Sequence, residues 1–106
     1  MNINIKATNT TLTPSIKEFI YDKMSVLEKF IKPEDKIHVE LEVEKKHSSG
    51  MLFRTEVTIK PHGHYAESRG MDFYSAMDLV IPKIKIQFAK SKDKKISMRR
   101  ERKGIK

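Results

Sequence analysis

The first residues of the chain alternate. Met1, Ile3, Ile5 and Ala7 are separated by Asn2, Asn4 and Lys6, the period-two pattern of a strand with one buried face. Thr8 to Thr13 is polar and reads as a turn. Thr13 is a good helix N-cap, and Pro14 fits the first helical position, where its missing N–H costs nothing. From there Ile16, Phe19, Ile20, Met24, Leu27, Phe30 and Ile31 recur at helical spacing down to Pro33, which stops the helix. Ile37, Val39, Leu41 and Val43 then alternate with His38, Glu40, Glu42 and Glu44, a second strand with an acidic outer face. Lys45 to Gly50 turns the chain into a third strand, where Phe53, Thr55, Val57 and Ile59 alternate with Arg54, Glu56, Thr58 and Lys60. The two are expected to form an antiparallel hairpin, with Arg54 or Lys60 across from a glutamate. Pro61, His62 and Gly63 make another turn into a shorter strand through Tyr65, Ala66, Glu67 and Ser68.

Asp72 is placed to cap a second helix. Phe73, Met77, Val80, Ile81, Ile84 and Phe88 fall within one sector at 100° per residue. Lys83, Gln87, Lys90 and Lys94 line one flank of that sector, and Lys85 and Lys92 the other. Pro82 sits inside the pattern, so the segment is either a kinked helix or a helix ending near Val80 with a strand over Lys83–Phe88. The phase kept by Met77, Ile81, Ile84 and Phe88 across the proline favours the kinked helix. The predicted class is α+β in the order β-α-β-β-β-α, a four-stranded sheet with two helices packed on one face.

At 106 residues and 12.4 kDa the chain makes one domain large enough for a hydrophobic core. With no cysteine, disulfides, thiolate metal sites and a cysteine nucleophile are excluded. The opening residues have no apolar signal core and no run spans a bilayer, so a soluble cytoplasmic protein is expected. Charge adds most to this picture. Residues 1–81 carry eleven basic and twelve acidic side chains, a net of −1, whereas residues 82–106 carry eleven and two, a net of +9. A solubilising terminus is the plain explanation. Against it, Ile84 and Phe88 interrupt the lysines, so part of the run is docked on a core and its cations are held in place. Fixed cations over a folded surface favour a polyanion.

Catalytic chemistry finds no support. His62 and His64 are spaced to share a metal, but no third ligand is placed by spacing, and His38 and His47 fall on a strand face and in a turn. Glu40, Glu42 and Glu44 lie on an open face without a pocket. The four glycines are isolated, so there is no phosphate loop. The expectation is no enzyme, no metal and no cofactor. Tyr21, Tyr65 and Tyr74 have faces that stack on bases, though Tyr74 beside the helix cap is as easily a buried anchor. With the helices side by side, Lys23 and Lys29 would join the Lys83, Lys90 and Lys94 row into one basic tract. Such a tract suits a folded RNA recognised by shape and charge. A general double-stranded-RNA module, with similar architecture and basic helix flanks, is the alternative.

The chain resembles the ribosome hibernation promoting factor and ribosome-associated inhibitor family from Met1 to about Lys95. The resemblance is carried by Met1–Ile5, by Thr13–Ile20 leading through Lys23 to Leu27-Glu28-Lys29-Phe30, by Val39–Lys45, by Ala66-Glu67 and above all by Asp72-Phe73-Tyr74-Ser75-Ala76-Met77-Asp78-Leu79. After that segment Lys83, Gln87, Lys90 and Lys92 match a family Lys, Gln, Lys, Lys series. Ile86 and Ala89 stand where many members carry arginine, with Lys85, Arg99, Arg100, Arg102 and Lys103 as nearby cations.

The resemblance implies a non-catalytic short-form protein lodged on the small ribosomal subunit, contacting ribosomal RNA and competing with messenger RNA and tRNA. It further implies a monomer away from the ribosome and no membrane partner. The RNA-facing candidates, from the resemblance and the lysine rows together, are Lys23, Lys29, Lys45, Lys83, Lys85, Gln87, Lys90, Lys92 and Lys94. Residues 1–95 are then the ribosome-binding domain and 96–106 a basic flexible tail.

Overall fold

The structure, a computed structural model, describes the backbone of residues 2–46 and 50–104 and the side chains of residues 2–45 and 52–90. Strand β1 (Ile3–Thr8) is followed by helix α1 (Pro14–Met24) and a 3₁₀ segment (Ser25–Phe30). Strands β2 (Lys36–Lys46), β3 (Gly50–Lys60) and β4 (His64–Gly70) lead to helix α2 (Phe73–Gly104). The sheet order is β1-β2-β3-β4, with β1 parallel to β2 and the other pairs antiparallel. This is the predicted β-α-β-β-β-α arrangement. His47, in the β2–β3 connection, lies outside the described residues.

Local chemistry sets the element ends. The Ile16 N–H donates to Thr13 Oγ1 at 3.2 Å, the expected cap, with Pro14 opening the helix. The apolar pattern continues past Met24, but the backbone tightens into 3₁₀ turns there. Met24, Leu27 and Phe30 are three apart, so a helix of three residues per turn keeps them on one edge. Asp72 caps α2 through Oδ1, which accepts from the Ser75 N–H at 2.7 Å. Just before it, a Cβ on Gly70 would lie 3.0 Å from the Ala76 nitrogen, so a side chain there would have to push the start of this helix aside by a few tenths of an ångström. Helix α2 carries through Pro82, which is exposed, while Ile81, Ile84 and Phe88 on either side of it stay buried. Burial in phase on both sides of the proline outweighs one missing backbone bond.

The core lies between the inner face of the sheet and the helices. Ile37, Val39, Leu41, Val57 and Ile59 come from the strands, with Ile20, Met24 and Leu27 over them from one side and Met77, Val80 and Ile84 from the other. Aromatic pairs close its rim: Phe19 against Tyr74, Phe30 against Phe88 and Phe53 against Phe73, with ring centroids 4.7–5.2 Å apart. Tyr74 is thereby anchored on one edge while remaining 43% exposed.

The histidine pair is built into the end of this core. His62 and His64 stack with centroids 5.4 Å apart, and His64 packs edge-on against Phe88 at 4.5 Å. His62 Nε2 lies 3.1 Å from Oδ2 of Asp35, a buried carboxylate that also accepts from the Lys32 N–H at 2.8 Å. Among the described residues no group of three His, Cys, Asp or Glu is arranged to hold a metal. Burial pushes the His64 imidazole below its ordinary range, and the neighbouring His62 adds to this against the opposing charge of Asp35. His64 is therefore neutral in the fold and takes up a proton more readily when the chain unfolds. The unfolded state binds more protons as pH drops below about 6.5, so stability should decline from there downwards. The denaturation midpoint at pH 7.5 and pH 5.5 should differ less in His64→Phe than in the parent; equal differences would refute this origin.

Candidate nucleic-acid interface

The helices and the 3₁₀ segment carry several of the predicted cations. Among them Lys29, Lys83, Lys85 and Lys90 are exposed, and Lys23 is half-buried. Lys29 extends over the ring of Phe30, 5.2 Å from its centroid, and Lys23 lies 5.4 Å from the ring of Phe19. Lys23 Nζ is also 3.0 Å from Oδ1 of Asp78 across the interhelix seam. Asp78 thus marks the flank of α2 that faces α1.

Lys85 follows Asp78 by seven residues, about two helical turns, and shares that flank, whereas Lys83 and Gln87 are rotated from it by about 140° and 180°. Lys83 and Gln87 turn to the outer edge of β4. The Tyr65 N–H donates to Gln87 Oε1 at 2.8 Å, Gln87 Nε2 donates back to the Tyr65 carbonyl, and Lys83 Nζ donates to the Glu67 carbonyl at 2.9 Å. The structure therefore regroups the cations. Lys23 adjoins the Lys85 side of α2 across the seam, not the Lys83 row expected to continue it. The reason is the roll of α2 about its axis, set by burial of its apolar sector.

Gln87 does what a neighbouring strand would do, pairing both main-chain groups of one edge residue. An unpaired edge is a template for strand addition, and the Gln87 and Lys83 side chains cover it. Gln87→Ala should expose the Tyr65 amide to solvent exchange, raising its rate about tenfold, and cost about 1 kcal/mol. An unchanged Tyr65 exchange rate in the free protein would remove this role.

Lys45 is exposed and shares the strand parity of buried Leu41 and half-buried Val43, so it stands on the helix side of the sheet, at the end where α2 begins. Lys85 and Lys90 make no ion pair among the described residues. Lys92 and Lys94 lie on the α2 backbone, and their side chains are outside the described residues.

The middle of the opposite face of the sheet is acidic, and its carboxylates are paired with cations of the same face. Glu40, Glu56 and Glu67 face one another across β2, β3 and β4 in one row, and Glu42, Arg54 and Arg69 form the next. Arg54, only 12% exposed in its side chain, lies 3.5 Å from Glu40 and 3.6 Å from Glu42 and bonds both Glu56 and Glu67. Arg69 bonds Glu44 at 3.0 Å and Glu67 at 3.2 Å, and Lys6 Nζ lies 3.9 Å from Glu40. Glu67 is held below the usual carboxylate range by its bond to Arg54 first and then by that to Tyr65, against the effect of burial. The expectation of a glutamate opposite Arg54 is met by Glu42; Lys60 instead faces Lys36. Sequence alternation placed these groups outward but carried no signal for the multiple bridging, which depends on three strands in register.

The family model described as Sigma 54 modulation protein / S30EA ribosomal protein matches residues 3–96. The ribosome hibernation promoting factor of Escherichia coli (strain K12) is 33% identical over 96 residues, covering 89% of this chain and 96% of that protein. The factor of the same name from Klebsiella oxytoca is 31% identical over 94 residues, with the same coverage. Among solved structures, the Protein Y N-terminal domain of Thermus thermophilus has a TM-score of 0.68 at 24% identity, covering 83% of this chain and 96% of that one. A ribosomal subunit interface protein from Coxiella burnetii has a TM-score of 0.68 at 22% identity, covering 88% and 99%; these two likenesses bear on the fold. On the family match and the relatives at 31% and 33% identity, this chain belongs to the Sigma 54 modulation protein / S30EA ribosomal protein family.

Proposed function

We propose that this protein is a cytoplasmic ribosome hibernation factor. It binds the decoding region of the small subunit through ribosomal RNA, occludes the messenger RNA and tRNA sites, and inhibits translation in idle cells. It does so by occupancy, without bond-making. The observation that supports this most directly is the mounting of cations on the rigid helix layer. Lys29 is held over an aromatic ring, Lys85 and Lys90 are uncommitted among the described residues, and the segment 82–106 that carries the net +9 begins on the same helix.

Lys23, Lys29, Lys45, Lys85, Lys90, Lys92 and Lys94 are the proposed phosphate contacts, with Lys83 and Gln87 shared between RNA and the β4 edge. Residues 1–95 are the proposed binding domain and 96–106 a basic extension of it. The protein acts as a monomer off the ribosome and needs no cofactor.

Sedimentation with purified small subunits tests the reading. The protein should move with the subunits, be displaced by messenger RNA with initiator tRNA, and show a logarithmic salt slope of roughly −4 to −5 for about six phosphate contacts. Remaining at the top of the gradient at moderate salt would end it. Comparable affinity for a plain RNA duplex would replace it with a general double-stranded-RNA module.

A further inference from the structure

We propose that Lys36 and Lys60, at one end of the open sheet face, form a second phosphate site that takes the phosphodiester backbone of an RNA strand. It is separate from the cations of the helix layer and rests on the ribosomal reading for its partner. The two lysines are direct register partners on β2 and β3. Each is exposed and alternates with a buried residue, Ile37 or Ile59, so both stand on the outer face.

Like charges directly opposite on neighbouring strands destabilise a sheet. Elsewhere on this face the arrangement is compensated: Lys6, Arg54 and Arg69 each reach a carboxylate. Among the described residues Lys36 and Lys60 reach none. Glu34 shares their shallow cleft with Pro61 but makes no ion pair with either lysine. Asp35, beside Lys36, is buried and already engaged by His62 and the Lys32 N–H. The pair is thus a local excess of positive charge that the protein leaves unneutralised.

An anion between the two ammonium groups turns that repulsion into attraction. A phosphodiester has two non-bridging oxygens, one for each ammonium. The next register row along the sheet, Asn4, His38, Thr58 and Tyr65, carries no carboxylate. With this row between them, the lysines stand four residues, about 13 Å, from the Glu40 and Glu56 row. The cleft is shallow and, among the described residues, lined by Glu34, Lys36, Lys60 and Pro61, so a compact anion would gain little there. A strand of repeated charge anchored elsewhere on the protein gains more by effective concentration.

The full chain and the variant Lys36→Glu decide the matter. The variant replaces a repulsive pair with an attractive one, so its melting temperature should rise by roughly 2–6 °C. Its affinity for small subunits should nonetheless fall about tenfold or more. Its salt slope should be shallower by about 1.5, because neither lysine of the pair then neutralises a phosphate. Lys60→Gln should fall less and shallow the slope by about 0.8. Unchanged affinity and slope in both variants, while reversal of Lys85 and Lys90 does weaken binding, would overturn this site and leave the ribosomal reading standing. If the parent chain binds no subunit, the ribosomal reading fails by itself. Titration with a ten-nucleotide RNA then decides, since unmoved Lys36 and Lys60 amide resonances overturn the site too. An equal response to inorganic phosphate at the same concentration would assign the pair to a free anion and overturn the RNA strand as its occupant.

Discussion

Replacing Arg54 with methionine should destabilise the domain by about 2–3 kcal/mol at neutral pH, a fall of roughly 10–20 °C in melting temperature. The substitution keeps most of the volume and removes the one group that bonds Glu56 and Glu67 while lying within 3.6 Å of Glu40 and Glu42. Glu40, Glu56 and Glu67 would then face one another across three strands without the cation between them. Burial works against the Arg54 charge, but the bonds and charges of Glu56 and Glu67 outweigh it, so the guanidinium stays protonated at every accessible pH. The loss belongs at the lower end of the range for broken buried pairs because the four carboxylates keep partial access to water.

The pH dependence has a definite sign. Glu67 is depressed in the fold, so its contribution is present above about 4.5 and disappears as pH falls through its folded value. In Arg54→Met the crowded carboxylates gain by protonation instead. The stability curves of parent and variant should therefore converge as pH falls below about 4.5. Thermal melts across that range check this, and parallel curves would show that Arg54 acts through packing alone. Glu56→Gln in the Arg54→Met background should restore part of the loss.

Reversing Lys29, Lys85 and Lys90 to glutamate together should lower small-subunit affinity at least a hundredfold at physiological salt. The logarithmic salt slope should become shallower by roughly 2–3. These three are chosen because they stand on the helix layer without an ion pair among the described residues. Lys23 and Lys83 are poorer targets. Lys23 bonds Asp78 across the seam and Lys83 bonds the β4 edge, so changing either disturbs the fold as well. The melting temperature of the triple variant should stay within a few degrees of the parent, which separates a weakened interface from a damaged fold. Retained binding with an unchanged slope would move the interface off the helix layer.

Much of the fold was legible because its causes are local. Period-two alternation marked each strand and its buried face, and Thr13, Pro14 and Asp72 marked both helix starts through groups within three residues of one another. The 3₁₀ finish after Met24 was not legible in the same way, although the three-residue spacing of Met24, Leu27 and Phe30 was there to signal it. For the candidate site, the residue types and exposure of the lysines were legible and their grouping was not. Lys23 was expected beside the Lys83 row and stands on the Asp78 flank instead.

By itself, the sequence determined the elements, their inward faces, the helix caps and the concentration of positive charge beyond residue 81. Only the tertiary structure decided which charges meet. Whether Arg54 bridges four glutamates, whether Lys60 faces a carboxylate or Lys36, and whether Gln87 points to solvent or to Tyr65 depend on strand register and helix roll. Both are set by packing the whole core, an interaction between residues far apart in the chain that no local window of side chains contains.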